Sequence, residues 1–244
     1  MGQGVTLEIC VDSLGLALAA ARGGADRIEL CGPLQDGGIT PSAGLAIATR
    51  KSIDLPIAML VRARTGAFTA SDAEFEVMRQ DISYARNIGI DLVVLGLVHE
   101  DQTVDIDRTR QLVEYARPMQ VTFHRAFDAT PDLEAALDDV VQTGATRILT
   151  SGAKSSGVLG APVVHHLREQ AGDRINLMLC GGISCTTIQQ VLQSSGVSEA
   201  HAALRASVRV EPETGAISQE SLEYFSECVR KMKQLMHSSE NSAN

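Results

Sequence analysis

Short aliphatic and β-branched runs alternate with stretches of helical period from Leu7 to the C-terminal part of the chain. Apolar runs of strand length bounded by turn residues predict strands over residues 7–11, 27–30, 57–62, 92–95, 121–125, 147–150, 175–179 and 199–202. Apolar positions three and four apart predict helices over 14–22, 72–87, 107–116, 133–142, 162–169 and 186–193. Start signals support them: Asp12 or Ser13, Ser71, Thr130 ahead of Pro131, and Ser184 are candidate N-caps. Gly24, Gly89 and Gly144 each follow a helix and lead into a strand, as glycine does at a left-handed helix end. Eight strands in strict alternation with helices is the pattern of a TIM-type (β/α)8 barrel in the α/β class. No Gly-x-Gly-x-x-Gly follows the first strand, which disfavours an open doubly wound sheet.

Length and composition change this picture little. The 244 residues suit one barrel domain, expected over 1–236, with a frayed polar tail over 237–244. Hydrophobic residues at 44% supply a large core and take the chain out of the disordered class. A net charge of -9 argues against nucleic acid as a partner, because neutralising phosphates needs a basic stripe. No apolar window reaches membrane-span length and the N-terminus carries no basic-then-apolar leader, so the expectation is a cytoplasmic protein with no membrane partner. The cysteines at 10, 31, 180, 185 and 228 are odd in number and scattered, which fits free thiols in a reducing compartment.

Strand parity then selects candidate chemistry. Residues two apart share a face, so Glu8 points with Cys10, and Glu29 with Cys31. In barrel order the first two strands are neighbours, which sets the two cysteines side by side near the C-terminal rim with the glutamates a layer deeper. The thiols admit a packing role or a soft-metal role. The glutamates need partners, because an unpaired buried carboxylate is costly. Arg62 and Arg64 share a face on the third strand; they either neutralise the glutamates or grip an anion. His124, Arg125 and Asp128 follow the fifth strand, where barrel enzymes place acids and bases, and His124 suits acid/base work, metal ligation or a structural role. Ser151 ends the sixth strand, and Gly181 and Gly182 after the seventh offer backbone amides to an anion or simply make a tight bend. On the eighth strand His201 shares a face with Glu199, so either residue could orient the other. Cys185, Cys228, His165 and His166 read as packing or solvated residues.

These segments together resemble the CutC family. The resemblance rests on Leu7-Glu8-Ile9-Cys10-Val11-Asp12-Ser13, on Gly24 to Cys31, on Gly37-Gly38-Ile39-Thr40-Pro41-Ser42, on Val121 to Asp128, and on Arg147-Ile148-Leu149-Thr150-Ser151-Gly152. It implies a cytoplasmic, homo-oligomeric β/α barrel associated with copper homeostasis, with copper held through Cys10 and Cys31. Two segments depart from the family pattern. The usual Arg-Pro-Arg-Gly-Gly-Asp-Phe stands here as Arg62-Ala63-Arg64-Thr65-Gly66-Ala67-Phe68, and the usual His-Ser-Ser or His-Gly-Ser run stands as His201-Ala202-Ala203.

Two function classes follow. In the first, Cys10 and Cys31 present thiolates to Cu(I) at the C-terminal mouth of the barrel. In the second, the chain is a metal-independent lyase or isomerase acting on a small anionic metabolite. Glu8, Glu29, His124 and Asp128 then do acid/base chemistry, and Arg62, Arg64, Arg125, Ser151, Gly181, Gly182 and His201 bind substrate. Fold alone does not choose between them.

Overall fold

The computed structural model describes residues 4–211 and 213–240. Its strands are β1 (Thr6–Val11), β2 (Arg27–Leu30), β3 (Ile57–Leu60), β4 (Leu92–Leu95), β5 (Gln120–Phe123), β6 (Arg147–Thr150), β7 (Asn176–Leu179) and β8 (Glu199–Ala202). They form one closed parallel barrel in sequence order, with β8 hydrogen-bonded to β1. The helices between them are α1 (Leu14–Gly23), α2 (Ala43–Ser52), α3 (Asp72–Asn87), α4 (Ile106–Ala116), α5 (Leu133–Thr143), α6 (Gly157–Ala171), α7 (Ile188–Ser195) and α8 (Gln219–Glu240). The fold is therefore the expected (β/α)8 barrel. Of the expected frayed tail, residues 241–244 lie outside the described residues.

Local chemistry accounts for most helix ends. The Ser13 and Ser71 hydroxyls accept the Leu16 and Glu74 amides, and Glu74 returns a bond to the Ser71 amide to complete a capping box. Gly24 and Gly144 close α1 and α5 in the left-handed conformation. Two expected caps are displaced. Asp132, not Thr130, caps α5, because Thr130 is already used to end a short 3-10 turn over Arg125–Ala129. Thr187 rather than Ser184 precedes α7, since Ser184 belongs to a turn whose carbonyl accepts from the Ile188 amide. Helix α6 starts at Gly157 with Ser156 as its cap, so Pro162 lies inside it. At Gly160 of α6 a Cβ would lie 1.8 Å from the Ser151 carbonyl oxygen, so only glycine lets the helix approach the end of β6 this closely.

Alternation along the strands divides the apolar residues into two populations. Outward-facing residues such as Leu7, Ile9, Ile28 and Ile148 join the large core beneath the helices. Inward-facing Cys10, Cys31, Ala58, Leu60, Leu92 and Val94 form a separate cluster inside the barrel, and Leu149, Met178 and Cys180 form another. The remaining buried strand residues include the charged or titratable Glu8, Arg27, Glu29, Arg147, Glu199 and His201.

Candidate functional site

Arg27, Arg147 and Glu199 are the first residues of β2, β6 and β8, so they enter the barrel from its N-terminal end. Arg27 donates through Nε to Glu8 Oε2 at 2.5 Å and through Nη2 to Glu199 Oε2 at 2.7 Å. Arg147 Nε donates to that same Glu199 oxygen at 2.7 Å. His201 faces Glu8 across the β1–β8 seam, with Nδ1 at 2.7 Å from Glu8 Oε1. Burial alone would raise the Glu8 carboxyl. The His201 hydrogen bond and the Arg27 charge outweigh it and hold Glu8 at about 2. Burial would likewise lower His201, but the Glu8 contact prevails and raises it. Glu8 is thus a fixed anion that orients an imidazole.

This floor corrects two expectations and adjusts a third. Arg62 and Arg64 do not neutralise the glutamates; β3 stops at Leu60, leaving both in the loop above the strand, and Arg27 and Arg147 do the pairing. Glu199 does not orient His201; Glu8 does. Glu29 is a layer below Cys31 as expected but level with Cys10, because strand stagger sets Cys10 in register with Glu29 and Glu8 with Arg27. Sequence reasoning passed over Arg27 and Arg147, although the parity that selected Glu29 places Arg27, two residues earlier, on the same inward face.

Above the floor, Cys10 Sγ lies 3.8 Å from Cys31 Sγ and 3.4 Å from Glu29 Oε1. The neighbouring Cys31 thiol and burial push the Cys10 thiol up, and burial pushes the Glu29 carboxyl up. Glu29 is 6% exposed, yet its Oε2 has no hydrogen-bond partner. One donor atom each from Cys10, Glu29 and His201 lie within 4.8 Å of one another.

The wall opposite carries cationic and aromatic groups. Arg62 stacks over Phe68 at 4.7 Å and donates to the Gly38 and Gly66 carbonyls at 3.0 and 2.5 Å, while its Nε is buried without a partner. Phe68 also packs against His124, with ring centroids 4.8 Å apart. His124 Nδ1 accepts the Ala126 amide at 3.3 Å, which leaves the proton on Nε2. Burial and the Arg62 charge push His124 down to about 3, so its ring is neutral. Gly96 makes room for it, since a Cβ there would lie 2.9 Å from His124 Nδ1.

Other candidates have structural employment. Asp128 accepts from Thr150 Oγ1 at 2.5 Å, from the Ser151 and Ala153 amides at 3.1 Å, from Ser151 Oγ at 2.9 Å and from Arg125 Nε at 2.8 Å. It is the clasp of the β6 loop, and it fixes Arg125 and Ser151 at the rim. Arg64 turns outward to Glu74 at 2.5 Å. The Gly181 carbonyl accepts the Gly157 amide at 2.6 Å, and Gly182 opens instead into a separate groove of about 480 Å³ beside Arg205 and Tyr224. The structure therefore gathers Cys10, Glu29, Arg62, His124, Arg125 and His201 around one mouth cavity of about 200 Å³. Glu8, Cys31, Arg64, Asp128, Ser151, Gly181 and Gly182 are not among its lining residues, and Cys31 is buried with its sulfur 3.8 Å from that of Cys10.

Comparison with known proteins bears on this arrangement. Residues 5–206 match the model of the CutC family. The chain belongs to the CutC family. It is 44% identical over 203 residues to the human copper homeostasis protein cutC homolog, covering 83% of this chain and 74% of that one. It is also 44% identical over 202 residues to the family protein CutC of Chromobacterium violaceum, covering 83% and 82%. The solved structure of CutC from Streptococcus agalactiae superposes with a TM-score of 0.77 at 30% identity, covering 81% of this chain and 97% of that one. Every residue of the mouth falls within the matched CutC segment. Ala67 offers Arg64 only its carbonyl, at 3.1 Å, and Glu74 supplies the charge that Arg64 pairs with. Among the described residues no helix is long and apolar enough to cross a membrane.

Proposed function

We propose that the barrel mouth takes up Cu(I) as its cargo on the thiolates of Cys10 and Cys31. The observation that carries this reading is the 3.8 Å separation of two free sulfurs, Cys10 lining the mouth cavity and Cys31 buried beside it. Two sulfurs each about 2.3 Å from one ion stand at most about 4.6 Å apart, so the observed spacing fits a bent bridge by a single ion. Thiolate pairs favour soft Cu(I) over harder divalent ions. The naming of the human relative as a copper homeostasis protein supports the same reading.

A second reading has its own observation. Arg62 keeps a buried Nε without a hydrogen-bond partner, beside a neutral His124 and the Glu29 carboxyl, which burial pushes up. A small anionic metabolite would complete that set: Arg62 and Arg125 hold the charge, His124 donates from Nε2, and Glu29 moves the proton in lyase or isomerase chemistry.

Anaerobic competition titration with a Cu(I) chelator of known affinity tests the first reading on the parent and on Cys10→Ser/Cys31→Ser. Stoichiometric binding that the variant loses is the expected result. Equally weak binding by both proteins would overturn the copper reading and leave the anionic metabolite.

A further inference from the structure

Cys31 is not the only companion of Cys10. Glu29 Oε1 approaches the Cys10 sulfur to 3.4 Å, and the other Glu29 oxygen is buried with nothing to bond. A buried carboxylate oxygen left without a donor is costly unless a ligand meets it. His201 completes the group. Its Nδ1 is taken by Glu8, which leaves Nε2 as its ligand atom. This is the carboxylate–histidine arrangement that orients a metal-binding imidazole and raises its basicity.

We propose that Cys10, Glu29 and His201 form a binding site for a borderline divalent cation, Zn2+, distinct from the thiol pair and sharing only Cys10 with it. The donor set of one sulfur, one oxygen and one nitrogen is a zinc set, whereas a two-thiol site selects a softer ion. Tetrahedral bonds of about 2.0–2.3 Å place ligand atoms about 3.3–3.8 Å apart. The Cys10–Glu29 separation already meets that spacing at 3.4 Å, and the whole group, within 4.8 Å, closes by rotation of side chains. Three protein ligands leave a fourth position facing the cavity, open to water or to an oxygen ligand, as in catalytic rather than structural zinc sites. Glu8, which touches the ion only through His201, is a positioning residue. Cation binding displaces the Cys10 thiol proton, because the thiolate is the form that ligates.

The inference does not rest on the copper reading, and one set of proteins separates the two. Zn2+ is titrated against a chromophoric chelator with the parent, Glu29→Gln and Cys31→Ser; Cu(I) is titrated against its own chelator under argon with the same three. Glu29→Gln is isosteric with the protonated acid, and circular dichroism with a urea curve checks each fold. The expected pattern is crossed. One Zn2+ per chain binds the parent, Glu29→Gln weakens it at least tenfold, and Cys31→Ser leaves it within about twofold. Cu(I) shows the reverse order. Cobalt replacing zinc is expected to give one thiolate-to-metal charge-transfer band that Glu29→Gln shifts. No stoichiometric zinc in the parent, equal zinc affinity in Glu29→Gln, or loss of zinc in Cys31→Ser would each overturn the three-ligand site. Failure of copper binding alone would not.

Discussion

The floor and the mouth of this barrel are both charged and both buried, yet they are opposite in kind. On the floor, Arg27 and Arg147 meet Glu8 and Glu199 in pairs of 2.5–2.7 Å, and neither carboxylate has a fully buried oxygen without a partner. In the mouth, Glu29 Oε2 and Arg62 Nε are buried with no partner. A charge inside a barrel therefore does not by itself mark a functional site. A charge whose hydrogen-bonding capacity is left open to a cavity is a candidate for one, because a buried unpartnered group is costly and a ligand would offset that cost. Asp128 illustrates the distinction from the rim: its position at the end of a barrel strand suggests catalysis, but the bonds it accepts from Thr150, Ser151, Ala153 and Arg125 describe a clasp.

The largest test of the comparison is Arg27→Met. It strips a shared cation from two buried carboxylates while filling similar volume, so a loss of about 3–5 kcal/mol in urea unfolding is expected. A loss below about 1 kcal/mol would show that the floor is not a closed network.

The second test uses pH. His124 is held down at about 3 in the folded barrel against 6.5 in the unfolded chain, so below pH 6.5 the unfolded chain takes a proton that the folded one refuses. Stability from this group is complete above pH 6.5 and is lost as pH falls toward 3, at about 1.4 kcal/mol per pH unit. Glu8, held at about 2 against 4.5, adds its own loss only below pH 4.5. His124→Asn, which keeps a cap for the Ala126 amide, is expected to flatten urea stability between pH 6.5 and 4.5 and to leave the steeper fall below it. A variant with the same slope as the parent in that window would put His124 in contact with solvent.

The smallest expected effect is the most telling about the mouth. Glu29→Gln keeps the side-chain shape at a carboxyl that burial pushes up and that has one unbonded oxygen, so urea stability should stay within about 0.5 kcal/mol of the parent. A loss of about 2 kcal/mol or more would move Glu29 from the mouth's open chemistry to the floor's closed one.

Alternation of strand and helix periods determined the barrel, because backbone hydrogen bonding imposes those periods within a few residues. Strand parity likewise placed Glu8, Cys10, Glu29 and Cys31 inside it. The sequence did not determine who meets whom. Glu8 and His201 are 193 residues apart and touch only because β8 closes on β1. Cys10 lies level with Glu29, and Glu8 with Arg27, through the stagger between β1 and β2. The ending of β3 at Leu60 takes Arg62 and Arg64 out of the strand and sends them to different surroundings, one to the mouth and one to Glu74. Closure, stagger and strand ends are properties of the whole sheet, to which every strand contributes, so no local window encodes them.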